Sequence, residues 1–138
     1  MDASEQLYVA LQHAARELRV LDEEIGVSPS RFSILATLRY DGSKRLGELA
    51  RREGVAQPTM TEAIRRLEQD GLVVRRTSPG DGRGCVVDLT PVGRSLVRRA
   101  RARKIRWVSQ ALAAMPDDAI RSLHLAAEAL DRHALQQD

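Results

Sequence analysis

The chain has 138 residues, 43% hydrophobic and 30% charged, which suits one folded domain and excludes a disordered chain. Aromatic residues make up 3%, too few for a nucleic-acid binder built on stacking platforms. The single cysteine, Cys85, excludes an intrachain disulfide framework and a cysteine-based zinc site, and the net charge is only +3.

Leu7, Leu11, Ala14, Leu18, Leu21 and Ile25 step by four and three, the stripe of an amphipathic helix that Gly26 ends. Ser28 and Pro29 are a cap and a first-turn proline for a second helix, whose buried face is Phe32, Leu35 and Leu38. Asp41-Gly42-Ser43 is a turn. A third helix is expected over Leu46–Arg52, broken by Gly54, and a fourth over Gln57–Gln69, stopped by Gly71. Leu72–Thr77 and Cys85–Thr90 are short β-branched runs around a glycine-rich segment, the pattern of a two-stranded hairpin. Thr90-Pro91 starts a long helix to about Met115. Pro116-Asp117 starts the last one, with Ile120, Leu123, Ala127, Leu130 and Ala134 on one stripe.

The charge is unevenly placed. Residues 44–106 hold 16 basic and 7 acidic groups, net +9, whereas residues 1–43 and 107–138 each stand at −3. A basic middle is the electrostatic footprint of a polyanion binder, although a solvated arginine-rich helix surface has the same composition. The third and fourth helices decide between these readings. Ala50 is small where two helices would cross, and Gly54 permits a tight reversal. Val55, Met60, Ile64 and Leu67 are expected in the core behind the fourth helix. Their spacing leaves Pro58, Thr61, Glu62 and Arg65 on the opposite face, with Gln57 and Thr59 at its N-terminal end. This is a helix-turn-helix with a polar recognition face. Gln57 suits adenine, Glu62 accepts from cytosine, and Arg65 suits guanine or a phosphate. The hairpin that follows makes it a winged helix. Arg75, Arg76 and Arg83 fall on the ribbon or its tip, and Asp81 stands two residues before Arg83, spaced to hold its guanidinium.

These residues carry a family resemblance. Leu49-Ala50, Gly54-Val55, Pro58-Thr59-Met60-Thr61, Arg66-Leu67-Glu68, Asp70-Gly71-Leu72-Val73, Arg76, Asp81-Gly82-Arg83, Val87-Asp88-Leu89-Thr90-Pro91 and Gly93 closely resemble the multiple-antibiotic-resistance regulator (MarR) family, over residues 28–96. The resemblance implies a winged-helix homodimer that binds double-stranded DNA at a palindromic operator, usually as a repressor, often released by a small ligand. It implies recognition-helix positions at Pro58, Thr59 and Thr61, and a wing motif at Asp81 and Arg83. The expected architecture is thus mainly α with a small β-wing. A winged helix-turn-helix lobe covers 28–90, and dimerisation helices cover 1–25 and 91–138. The pattern departs from the family at Ala56, where a Ser or Thr cap is common, at Glu62, where an arginine is usual, and at Glu53, where an apolar residue is common. Glu62 on the groove face motivates the alternative reading, a winged-helix protein-interaction module without DNA readout.

Other sites find little support. His13, His124 and His133 lack a helical i,i+4 ligand pair, so no metal and no cofactor are expected. No nucleophile triad, phosphate loop or carboxylate pair stands out, so the chain reads as a non-enzyme. Cys85 reads as a small strand residue rather than a thiol sensor, and Trp107 as a packing anchor. A phenolic or lipophilic acid is the kind of effector expected where dimer helices meet the DNA-binding lobe. With no long apolar run and no signal-like start, the expected location is the cytoplasm, at the nucleoid.

Overall fold

The computed structural model describes residues 1–77, 80 and 84–136. Its elements are α1 (Ala3–Glu23), α2 (Pro29–Asp41), β1 (Lys44–Arg45), α3 (Leu46–Glu53), α4 (Gln57–Gln69), β2 (Val73–Thr77), β3 (Cys85–Leu89), α5 (Pro91–Leu112) and α6 (Asp117–Leu135). Contacts group residues 1–104 into one compact unit and residues 105–138 into another.

Local chemistry explains most helix ends. α1 begins ahead of its apolar stripe because Asp2 and Glu5 form a reciprocal capping box. The Glu5 N–H donates to Asp2 Oδ1 at 2.9 Å, and the Asp2 N–H donates to Glu5 Oε2 at 3.2 Å. Ser28 caps α2 with Pro29 in its first turn, as expected. α4 has the expected limits. α5 ends three residues before Met115, and α6 opens after Pro116 without a side-chain cap.

The sheet differs from the expected two-stranded hairpin. It has three antiparallel strands in the order β1-β3-β2. β2 pairs β3 with Val73 opposite Leu89 and Thr77 opposite Cys85, and Lys44 and Arg45 pair Val87 and Val86 on the other edge of β3. Two residues carry no periodicity, so β1 exists because β3 offers an unpaired edge.

The core of the first unit is continuous. Leu35 and Leu38 of α2, Leu49 of α3, Met60, Ile64 and Leu67 of α4, Val87 and Leu89 of β3, and Val97 of α5 are fully buried. Val55, expected among them, is 39% exposed, because it lies in the turn rather than on α4. Its N–H still closes α3 by donating to the Ala50 carbonyl at 3.0 Å.

α5 is tied to this core at its first turn. The Thr90 hydroxyl donates to the Gly71 carbonyl at 2.6 Å and accepts the Gly93 N–H at 3.0 Å. Gly93 lets the helix approach so closely that a Cβ there would stand 2.1 Å from the Leu72 carbonyl oxygen. Further along, Lys104 stands 4.2 Å from the centroid of the Phe32 ring and pairs with Asp22, the one buried charged residue among those described. Asp22 Oδ2 accepts the Lys104 ammonium at 3.0 Å. Oδ1 lies 2.8 Å from the same nitrogen without hydrogen-bond alignment. Asp22, Phe32 and Lys104 thereby join α1, α2 and α5.

In the second unit, α6 buries no residue, and Leu123, Leu125 and Leu130 are exposed in the single chain. α1 also leaves Leu7 and Leu11 exposed.

Candidate nucleic-acid interface

The turn between α3 and α4 sets the geometry of the site. Gly54 adopts a left-handed conformation (φ 66°) that side-chain-bearing residues rarely take, so the chain reverses in two further residues. Ala56 occupies the N-cap of α4 and supplies no side-chain acceptor there. Pro58, second in the helix, has no N–H and so removes one of the first-turn donors a cap would serve, while the Thr59 N–H is left without a side-chain cap. Met60, Ile64 and Leu67 anchor one face of α4, and Gln57, Pro58, Thr59, Thr61, Glu62 and Arg65 are all exposed, as their spacing requires. The Thr61 hydroxyl donates to the Gln57 carbonyl at 3.0 Å, which steadies the first turn.

The polar face is internally paired. Arg65 Nε donates to Glu62 Oε2 at 2.9 Å and its Nη2 to Oε1 at 2.7 Å. Arg66 Nε donates to the same Oε1 at 3.3 Å. Hydrogen bonds from Arg65 first, then Arg66, hold the Glu62 carboxyl at about 2, against 4.5 for an ordinary glutamate, and the same pairing raises Arg65. Glu62 therefore stays ionised and offsets part of the positive charge on this face. Glu53, on α3, accepts from the Ser33 hydroxyl at 3.1 Å, which accounts for an acid where the family pattern has an apolar residue.

On the wing, strand alternation separates the arginines. Arg75 shares the core-facing side of the sheet with Val73 and Val87, and its Nε bonds to Glu68 of α4. That contact braces the wing against α4. Arg76 is on the outer side, alternating with Arg75, and forms no ion pair among the described residues. Asp81 and Arg83 lie outside the described residues.

Two basic residues beyond the sequence-derived set sit beside this surface. Arg31, in the first turn of α2, donates from Nε to the Ser28 hydroxyl at 3.1 Å and stands 3.7 Å from Asp70. With Arg65, Arg66, Gln69 and Asp70 it lines an open polar recess of about 340 Å³. Arg45 of β1 lies against Gly84, where a Cβ would approach its guanidinium carbon to 2.9 Å. Neither position carries a motif signal, since each depends on elements that meet only in the fold. A second recess of about 300 Å³ lies between the end of α1 and α5, lined by Glu24, Ile25, Leu96, Arg99, Ala100 and Arg103, with Arg103 bonded to Glu24.

Among the described residues no group of three or more His, Cys, Asp or Glu could hold a metal ion. No helix there is long and apolar enough to cross a membrane.

Residues 27–85 match the model of the MarR family. An uncharacterized HTH-type transcriptional regulator of Mycobacterium leprae is 37% identical over 112 residues, covering 81% of this chain and 78% of that one. A MarR family protein from Bacillus stearothermophilus superposes with a TM-score of 0.82 at 22% identity, over 98% of this chain and 99% of that one. A single-substitution mutant of Staphylococcus aureus MepR, solved bound to an oligodeoxyribonucleotide, superposes with a TM-score of 0.72 at 15% identity, over 97% of this chain and 99% of its own.

Proposed function

The chain belongs to the MarR family of transcriptional regulators, and from that premise we propose that it is a homodimeric repressor that reads a palindromic operator in double-stranded DNA. The observation that carries this reading is the exposed face of α4, with Gln57, Pro58, Thr59, Thr61, Glu62 and Arg65 presented by a buried helix-turn-helix core. The N-terminal part of such a helix enters the major groove, and the wing residues Arg76 and Arg83, with Asp81 orienting Arg83, reach the flanking backbone and minor groove. Arg75 acts from behind, holding the wing to α4 through Glu68.

The exposed apolar residues of α1 and α6 support a dimer, since Leu7, Leu11, Leu123 and Leu130 would otherwise remain in water. A two-fold dimer prefers half-sites about one helical turn apart, roughly 10 bp from centre to centre. The recess between α1 and α5, with Arg99 and Arg103 beside Ile25 and Leu96, suits a small phenolic or lipophilic acid that would release the operator.

Selection of bound duplexes from a random pool, repeated with candidate acids present, tests the whole reading. The expected result is a palindrome whose enrichment falls with an active effector. Absence of any enriched duplex would instead favour the protein-interaction module that the acid at position 62 suggests. Reporter transcription from the selected site then distinguishes repression from activation.

A further inference from the structure

The polar recess beside α4 has a chemistry that base readout leaves unexplained. We propose that Arg31 and Arg66, with Arg65, clamp one backbone phosphate of the duplex at the wall of the major groove. The inference rests on the docking of α4 described above and deepens it by naming a phosphate site and two residues outside the recognition set.

Three observations carry it. The first is placement. At 100° per residue, Pro58, Glu62, Arg65 and Gln69 form the outward ridge of α4, and Arg66 lies one step round the helix, on the flank that carries Asp70 toward Arg31. With the ridge in the groove, that flank meets sugar and phosphate rather than base edges.

The second is donor supply. Arg31 uses Nε on Ser28, and its Nη1 stands 3.7 Å from Asp70, beyond hydrogen-bond reach, so its terminal nitrogens keep donors for an anion. Arg66 uses only Nε on Glu62 among the described residues. Glu62 takes the Nε edges of Arg65 and Arg66 and leaves the outer edge of Arg66 open.

The third is charge. Arg31, Arg65 and Arg66 against Glu62 and Asp70 leave one positive charge, which matches a phosphodiester rather than a dianionic phosphate.

The test uses the full-length protein, the selected operator and a mixed-sequence duplex of about 30 bp, three helical turns. Binding is followed by fluorescence anisotropy as salt is varied. Arg31→Gln and Arg66→Gln are each expected to lower the slope of log K against log salt by about one, and to weaken both duplexes by the same factor. Arg31→Lys keeps the charge and should keep the slope. A wild-type slope in both glutamine variants overturns the clamp, and so does a loss confined to the selected operator, which would make Arg66 a base reader. Failure of the wild-type chain to bind any duplex overturns the DNA-binding reading instead. Should Arg31→Gln lose its fold in a thermal melt, Asp70→Asn carries the test. Removing the carboxylate that faces Arg31 should steepen the slope, and a shallower one counts against the clamp.

Discussion

Glu62 receives Arg65 through both of its carboxylate oxygens, at 2.9 and 2.7 Å, in the middle of the exposed face of α4. A bidentate pair of this geometry spends two of the five N–H donors of Arg65 before any nucleic acid arrives. Replacing the acid by its amide removes one negative charge from the surface proposed to meet DNA. Glu62→Gln is therefore expected to tighten binding to every duplex by a similar factor and to steepen the salt dependence by about one. Loss of a single cytosine preference in a binding-site selection would show instead that the carboxylate reads a base.

The same pair makes a prediction about pH. The Glu62 carboxyl is held at about 2, below the usual 4.5. A lowered value means that the ion pair contributes fully above the ordinary glutamate range and is lost only as pH falls through about 2. Carbon-detected NMR of the glutamate carboxyls should find Glu62 still ionised at a pH where ordinary exposed glutamates are half protonated. A midpoint near 4.5 would mean that the pair is not populated in solution.

Gly93 should tolerate no side chain. A Cβ would stand 2.1 Å from the Leu72 carbonyl oxygen, which is backbone and also accepts the Thr90 N–H at 3.1 Å. Gly93→Ala must push α5 away from the sheet, at a cost of about 3 kcal/mol or more. Urea denaturation measures this, and a stability within about 0.5 kcal/mol of wild type would contradict the close approach.

The pair between buried Asp22 and half-buried Lys104 should respond unequally to its two deletions. The Asp22 side chain is 10% exposed and the Lys104 side chain 25% exposed, so only the lysine retains a path to water. Lys104→Met strands a carboxylate and is expected to cost about 3 kcal/mol, with loss of the cation over Phe32 included. Asp22→Asn leaves an ammonium that can swing outward and should cost about half as much. Equal costs in chemical denaturation would indicate that the lysine is as trapped as its partner.

The proposed assembly on DNA is tested at its two ends. Leu130→Glu places a charge on the exposed apolar face of α6, and sedimentation should then show a dissociation constant raised by at least about tenfold, or a monomer. Arg83→Ala should weaken operator binding by about 1–3 kcal/mol, read by anisotropy at moderate salt. An unchanged affinity would remove the wing from the interface.

The parts of this molecule legible in its residues are the locally specified ones. α4 has the limits its sequence implies because Gly54, Pro58 and Gly71 act within a turn of themselves, and because Met60, Ile64 and Leu67 mark one face by spacing alone. The capping box of Asp2 and Glu5 is equally local, and it moves the start of α1 ahead of the apolar stripe. The exposure of Pro58, Thr61, Glu62 and Arg65 follows from the same helical period. Other features needed the chain to fold. Val55 is apolar but lies in the turn, where a periodicity drawn through α4 does not apply. β1 has two residues and no pattern; the free edge of β3 makes it a strand. Arg31 meets Asp70 across 39 positions of sequence, and Asp22 meets Lys104 across 82, so no spacing rule brings either pair together. Short-range periodicity and capping place helices and turns. Periodicity also places Glu62 beside Arg65 and Arg66 on one helix, whereas the carboxylate that faces Arg31 or Lys104 is a long-range property, set by which helices the buried core packs side by side.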